Sequence, residues 1–179
     1  DWKDANSARR HLLKASDELR HRIGSTHLKA RGPLYGFLGH LSSALTLYHA
    51  LELLESQGVH TLRCFLGRVA ESQKRSHKGI FSEFTSKGVY EALSSGSLED
   101  HPKIPALQRI VFDQLSAEPS SKVIVFTQYR DTSSYIVSKL SEKGVAAARF
   151  VGQADKEKDS GLSQEQQAEI LDNFRSGDL

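Results

Sequence analysis

The stretch LYGFLGHLSSALTLYHALELL, residues 34–54, decides the fold of the first half of the chain. Its apolar side chains recur at helical spacing: Leu34, Phe37, Leu38, Leu41, Leu45, Tyr48, Leu51 and Leu54. They cover more than one face of the helix, and such a helix is normally packed on more than one side. The pattern therefore predicts a long central helix that ends at Gly58 and has neighbours on two sides.

The rest of the sequence up to residue 98 also has helical periodicity. A helix surrounded by arginine and lysine is predicted from Asp4 to about Ile23, and a third helix from His60 to Ser76. Shorter helical pieces are predicted over residues 79–87 and 89–94. Convincing strand alternation is absent from this half of the sequence, so residues 1–98 are predicted to form a helical domain.

After residue 98 the pattern becomes that of an α/β domain. The run Val123-Ile124-Val125-Phe126 lies between turn residues and is typical of a strand buried on both faces. Ser163, with Gln166 three residues later, predicts a capping box at the start of the last helix. Helices and strands alternate as in a parallel sheet, which predicts an incomplete α/β domain over residues 99–179. The predicted order is helix, strand, helix, strand, helix, over residues 106–115, 123–126, 131–143, 146–151 and from 163 onward.

Charge is distributed unevenly along the chain. The net charge of +2 is too small to indicate nucleic acid by itself. However, residues 1–78 carry 13 Lys and Arg against 7 Asp and Glu, whereas residues 119–179 carry 8 against 9. The first part is therefore the basic part. No apolar run is long enough to cross a bilayer and no signal-peptide pattern is present, so we expect an intracellular location. It would be cytoplasmic in a prokaryote and nuclear in a eukaryote.

The sequence does not contain the motifs of a self-contained enzyme. It has neither a GxxxxGK[ST] loop for a triphosphate, nor an acidic box for magnesium, nor a GxSxG nucleophile turn. We therefore predict no catalytic residues and no ATP hydrolysis by this chain alone. The single cysteine, Cys64, and the absence of ligand spacing among the histidines predict no metal site.

Two loops follow the predicted strands, where ligands of α/β sheets gather. Thr127, Gln128 and Arg130 follow the first strand, and Gly152 with Gln153 follows the second. Hydroxyl, amide and guanidinium groups, together with N–H groups at a helix start, suit phosphate oxygens. The alternative is that Thr127 and Asp131 cap a helix and that Arg130 is only solvated.

Four segments resemble a known family of superfamily 2 helicases. KVIVFTQYR (122–130), AARFVGQ (147–153) and GLSQEQQAEIL (161–171) are similar to the second-lobe motifs IV and IVa of the Hef/Fanconi-anaemia-M helicases. LYHALELLESQGVHTLR (47–63) resembles the helical insert of that family. The resemblance implies that residues 1–98 are the antiparallel, polymerase-thumb-like insert. Residues 99–179 would be the N-terminal part of the second RecA-like lobe.

Members of this family act on forked and branched DNA, so the resemblance also implies a function. A complete member would bind ATP and Mg²⁺ between two lobes and move along DNA, as in DNA repair at replication forks. This chain would then contribute structure-specific DNA binding beside the first lobe. The phosphate contacts expected from the resemblance are Thr127, Gln128, Arg130, Gly152 and Gln153 in the two loops, and Arg63, Arg68, Lys74, Arg75 and Lys78 on a basic face of the third helix.

Two other functions remain open from the sequence. Related helicases that sense double-stranded RNA also carry a helical insert at this place, so duplex RNA is a second candidate substrate. A helical protein–protein interaction module, in which the broad apolar helix binds a partner, is the candidate from a different class.

Overall fold

The computed structural model describes residues 5–155 and 159–179, with side chains from residue 7 onward. The start predicted for the first helix, Asp4, lies outside these residues. The chain separates into two units, Asp1–Glu99 and Asp100–Leu179. This division lies one residue from the change of pattern noted between residues 98 and 99. The roles assigned to the two parts, helical insert and second lobe, stay predictions.

The described part of the first unit is helical, and its long helix lies at the centre. Its helices are α1 (Ala5–Ser25), a 3₁₀ turn (Leu28–Ala30), α2 (Arg31–Gln57), α3 (Val59–Glu71), α4 (Arg75–Ser86) and α5 (Val89–Ser94). Helix α2 contacts α1, α3 and α4, which confirms its predicted central position. Phe37, Leu51 and Leu54 of its predicted apolar surface are nevertheless 64, 49 and 39% exposed.

The core of this unit forms where α2 meets α3. Leu53 of α2 and Leu66 and Val69 of α3 are each only 1% exposed. Helix α2 ends as predicted at Gly58, whose N–H donates to the Leu53 carbonyl at 2.9 Å. Gly58 has φ +92°, a conformation that favours glycine, and α3 begins at the next residue. The turn therefore folds α3 directly back onto α2.

The third helix is shorter than predicted. It ends at Glu71 rather than Ser76, and α4 begins at Arg75 rather than residue 79. Ser72 leaves the helix with an extended backbone (φ −68°, ψ 136°). Its Oγ accepts a hydrogen bond from the Lys74 N–H at 3.3 Å. A serine hydroxyl that binds nearby backbone competes with helical hydrogen bonds. The prediction that one helix reaching Ser76 carries all five basic candidates is therefore wrong.

The second unit contains three described helices: α6 (Lys103–Ala117), α7 (Arg130–Ser141) and α8 (Gln164–Ser176). The capping box predicted at the start of α8 is confirmed. Ser163 Oγ accepts the Gln166 N–H at 3.2 Å, and Gln166 Oε1 accepts the Ser163 N–H at 2.9 Å. The unit begins at Asp100, whose carboxylate accepts a hydrogen bond from the Tyr135 hydroxyl and lies 3.8 Å from Lys139 Nζ.

The parallel strands predicted in this unit are not formed in residues 100–155 and 159–179. The segments 123–126 and 146–151 are neither helical nor paired into a ladder. Val123, Ile124, Val125 and Phe126 are 37, 65, 38 and 93% exposed, so the expected burial on both faces is wrong for this chain. A buried parallel strand needs a hydrogen-bonded neighbour on each side and helices over both faces. The chain as described is thus mainly helical, and the RecA-like lobe stays a prediction.

Membrane insertion finds no support in these helices. None of those in the described ranges combines the length and the apolar content that a bilayer span requires.

Candidate nucleic-acid interface

Three exposed cations lie together at the start of α4. Lys74 is the residue before the helix, Arg75 is its first residue, and Lys78 completes the first turn, which contains no acidic residue. Lys78 Nζ donates to Gln73 Oε1 at 2.8 Å. A helix N-terminus already carries a partial positive charge. The cluster of Lys74, Arg75 and Lys78, called here the α4 cluster, therefore makes this end strongly positive.

Backbone donors accompany these cations. The first hydrogen bond of the α4 ladder runs from the Lys78 N–H to the Lys74 carbonyl at 3.1 Å. The N–H groups of residues 75–77 precede that bond and have no helical acceptor. The side chain of Lys74 does not cap them. Orphan N–H groups and cations in one place suit an anion such as phosphate.

His77 lies within the same turn, and its pKa is lowered. Burial lowers the pKa of its imidazole, and the positive charge of Lys74 lowers that pKa further. Its Nδ1 atom is buried and has no hydrogen-bond partner in the described part of the chain. The first turn of α4 therefore contains a half-buried histidine that resists a further positive charge beside Lys74.

Arg63 and Arg68 lie on a different helix from the α4 cluster and do not share one helical face with each other. Both lie on α3 and are half-buried, and Arg63 Nη2 is 3.5 Å from His60 Nδ1. They are five residues apart, which places them roughly 140° apart around the helix axis. Contact of either residue with DNA stays a prediction.

In the second unit, Arg130 is turned inward onto the loop that follows Val151. Its Nη2 donates to the carbonyls of Gly152 at 3.1 Å and Ala154 at 2.6 Å. Its Nη1 donates to the carbonyl of Asp159 at 3.2 Å. The side chain is only 14% exposed. Arg130 is thus hydrogen-bonded within the loop rather than simply solvated, and its contact with a phosphate stays a prediction.

A second arginine shares the same acidic partner. Arg149 Nη2 lies 2.8 Å from Asp159 Oδ1, while Arg130 Nη1 lies 3.6 Å from Asp159 Oδ2. Arg149 Nη1 donates to Ser134 Oγ of α7 at 3.1 Å. Arg149 and Asp159 were not among the predicted site residues. No local signal marks them, because Arg149 and Asp159 join residues that lie 10 to 29 positions apart in the chain.

The other loop candidates are exposed, as a contact residue has to be. Thr127, Gln128, Gly152 and Gln153 all have open side chains or backbone. Thr127 Oγ1 donates to the Tyr129 carbonyl at 3.3 Å. The residue before α7 is Tyr129, so the alternative in which Thr127 caps this helix is wrong, although Asp131 does lie in the first turn. DNA contact by these four residues stays a prediction.

Metal-ligating side chains are not grouped in the described ranges. No three His, Cys, Asp or Glu side chains there lie close enough together to hold a metal ion.

Comparison with known families gives one match over the first half. A family model described as "Putative ATP-dependent RNA helicase, helical bundle" matches residues 4–95. These residues fall within the first unit of the structure.

Two curated relatives and one solved structure are similar over most of the chain. A putative ATP-dependent RNA helicase of Methanocaldococcus jannaschii is 36% identical over 75% of this chain and 17% of its own length. The ATP-dependent DNA helicase mph1 of Neurospora crassa is 35% identical over 82% of this chain and 14% of its own length. The crystal structure of the Hef helicase domain of Pyrococcus furiosus aligns with a TM-score of 0.70 and 35% identity, over 95% of this chain and 34% of that one. The chain thus spans a minor part of each of these proteins.

Proposed function

We infer the function from one premise: this chain belongs to the helicase helical-bundle family and, with it, to the Hef/Mph1/Fanconi-anaemia-M type of superfamily 2 helicases. We propose that it is a segment of an ATP-dependent DNA helicase or translocase that acts on forked or branched DNA. Its own contribution is to hold the phosphate backbone. Phosphate contacts fix the position of a protein on nucleic acid without reading the bases, so binding is expected to depend on structure and salt.

The α4 cluster is the observation that carries this proposal. Each cation in the first turn of a helix opposes the helix dipole at a cost of about 0.3–1 kcal/mol. Arg75 and Lys78 lie in that turn and Lys74 directly precedes it, and the turn contains no acidic residue. A bound phosphate reverses the sign of this interaction, because the dipole and the cations then act on the same anion. Sequences that break a local rule in this way do so most often at functional sites.

The relatives support DNA as the substrate and leave duplex RNA as the second candidate. The Neurospora relative is named as a DNA helicase, whereas the Methanocaldococcus relative is named as a putative RNA helicase. Both substrates present the same phosphate chemistry to the α4 cluster. They differ in the spacing of the phosphates and in the 2′-hydroxyl, which a protein can use to distinguish RNA from DNA.

ATP and Mg²⁺ are assigned to the parent helicase that we propose. The residues of this chain do not fit a nucleotide phosphate site, because the sequence lacks a GxxxxGK[ST] loop. No step of ATP hydrolysis is therefore derived for it. The first lobe of the parent helicase is its proposed neighbour.

A mobility-shift comparison of forked DNA, linear duplex DNA and duplex RNA at two salt concentrations tests this function. Lys74→Glu with Arg75→Glu should weaken binding to the fork by about tenfold or more, because two contacts become repulsive. The matched control is Lys87→Glu. That lysine lies at the opposite end of α4, where its Nζ is 2.8 Å from Glu83 Oε1. Circular dichroism checks that all variants keep their helices.

The outcomes separate the three candidate functions. Preferential, salt-sensitive binding to forked DNA that depends on the α4 cluster supports the proposal. Preference for duplex RNA would replace DNA with RNA as the substrate. Absence of salt-dependent binding to any nucleic acid would favour the protein–protein interaction module instead.

A further inference from the structure

Arg130 fastens two short arms of chain that follow Val151. The first arm, Gly152–Asp155, supplies two carbonyls to its Nη2, and the second, Asp159–Gly161, supplies one carbonyl to its Nη1. Further bonds close the same structure. Asp155 Oδ1 accepts the Gly161 N–H at 3.0 Å, and Gln167 Nε2 donates to the Val151 carbonyl at 2.9 Å. This arrangement, called here the Arg130 clamp, consists only of described residues.

The clamp also determines the direction of the backbone N–H groups. Every described peptide bond is trans, so the C=O and N–H of one peptide point in opposite directions. The carbonyls of Gly152 and Ala154 point at the Arg130 guanidinium. The N–H groups of Gln153 and Asp155, which belong to the same two peptides, therefore point away from it. The first arm thus presents two donors on the side opposite the guanidinium.

Asp159 holds the guanidinium of Arg130 in this position. Its carboxylate lies between Arg130 and Arg149, and Arg149 is fastened to Ser134 on α7. The side chains of Arg149 and Asp159 are 25 and 21% exposed. The Arg149–Asp159 pair at 2.8 Å is charge-assisted and fixes geometry more firmly than a neutral hydrogen bond. Arg130 Nη1 and Asp159 Oδ2 attract each other at 3.6 Å without a hydrogen bond in the described part of the chain. The carboxylate of Asp155 is occupied by the Gly161 N–H and so stays associated with the second arm.

We propose that Arg130, Asp159 and Arg149 are positioning residues, which hold the first arm so that the N–H groups of Gln153 and Asp155 bind a phosphate oxygen of the nucleic acid. Arg130 then acts through the backbone and does not itself contact the phosphate. The proposal rests on the function proposed above, since it names a second place at which the same backbone is held.

Positioning and direct charge contact make opposite predictions for Asp159. Removing a negative charge near a polyanion should tighten binding if charge alone matters. If the carboxylate positions Arg130, the same change should release the clamp and weaken binding. Asp159→Asn is therefore expected to weaken binding to forked DNA by about threefold or more. The control, Asp172→Asn, removes an equally negative but exposed side chain that pairs with Arg175 at 3.3 Å.

The salt dependence of binding distinguishes the two roles of Arg130. A cation that contacts a phosphate releases counterions, so its loss lowers the slope of log K against log salt by about 0.9 on duplex DNA. We expect Arg130→Gln to weaken binding while the slope stays that of the wild type. Fluorescence anisotropy with a labelled fork at several salt concentrations measures both quantities. Hydrogen exchange at the Gly161 amide shows whether each variant opens the clamp.

Several results would overturn this inference. The first is unchanged or tighter binding of forked DNA by Asp159→Asn. The second is a lowered slope of log K against log salt for Arg130→Gln. The third is weaker binding by either variant without faster hydrogen exchange at the Gly161 amide. The proposed function fails separately, when the wild-type chain binds no nucleic acid in a salt-dependent manner. If the wild type binds and only the α4 cluster variants weaken it, the function stands and the positioning role falls.

Discussion

Gly161 is the residue at which the Arg130 clamp tolerates least change. A Cβ placed on it would lie 2.6 Å from the Gly152 carbonyl oxygen and closer still to the carbonyl of Gln153. Gly161→Ala must therefore push the two arms apart. We expect it to lower the free energy of unfolding by about 1–3 kcal/mol, as overpacking does, and to weaken binding to forked DNA. Urea unfolding and anisotropy measure the two effects.

A neighbouring glycine provides the control for this substitution. A Cβ at Gly152 would meet nothing within 4 Å, so Gly152→Ala should leave the free energy of unfolding close to that of the wild type. Equal stability of the two variants would show that the arms are not in close contact at Gly161. The comparison separates loss of space from the general effect of replacing glycine, which alters the entropy of the unfolded chain.

The residues of the clamp also show which features of the site can be predicted from the sequence. The position of Arg130 after an apolar run predicted a phosphate contact at this loop, which stays a prediction; the structure shows Arg130 hydrogen-bonded to the Gly152 carbonyl. The direction of its side chain was not predictable. It depends on Asp159, which is 29 residues later in the chain, and no periodicity connects two positions that only folding brings together.

At the scale of elements, local patterns predicted helices well. The end of α2 at Gly58 and the capping box of α8 were predicted correctly, because the signals that define them lie within a few residues. Helix α2 begins at Arg31, before the predicted start at Leu34. The break after Glu71 was missed. It depends on one serine that bonds to the backbone instead of continuing α3. The strands predicted at 123–126 and 146–151 are not formed for a non-local reason, because a strand depends on neighbouring strands that its own sequence does not contain.

The first turn of α4 gives a prediction about pH. The pKa of His77 is lowered below its ordinary value of 6.5, first by burial and then by Lys74. The unfolded chain therefore takes up a proton at a higher pH than the folded chain does. Folding stability that is fully present above pH 6.5 is then lost as the pH falls below that value.

The test compares the wild type with His77→Gln, which cannot take up that proton. Urea unfolding on either side of pH 6.5 should show a smaller fall in the free energy of unfolding for the variant than for the wild type. The difference between the two proteins isolates His77 from the other histidines of the chain, which number seven. Parallel curves for both proteins would mean that protonation of His77 does not oppose folding.

At the scale of the whole molecule, the most exposed apolar segment is 123–126. Phe126 is 93% and Ile124 65% exposed, and no proline or charge interrupts the four residues. An extended apolar segment with unpaired backbone is a template for pairing with another chain. We therefore expect the isolated chain to associate with itself in a concentration-dependent manner. Higher salt should strengthen this association, because it screens charge repulsion between copies and leaves the apolar attraction in place.

Ile124→Lys tests whether this segment is the cause. A charge in the middle of the run should suppress association, as charged residues do on natural edge strands. The helices lie outside the segment, so the circular dichroism of the variant should match the wild type. Sedimentation velocity at several concentrations measures the association. Lys87→Gln, which removes a charge at the far end of α4, is the control. A wild type that stays monomeric, or a variant that associates equally, would place the attraction elsewhere on the molecule.

Salt has opposite effects on DNA binding and on self-association. It weakens binding to DNA, which depends on charge, and strengthens pairing through apolar strands. The two can therefore be measured separately on the same protein.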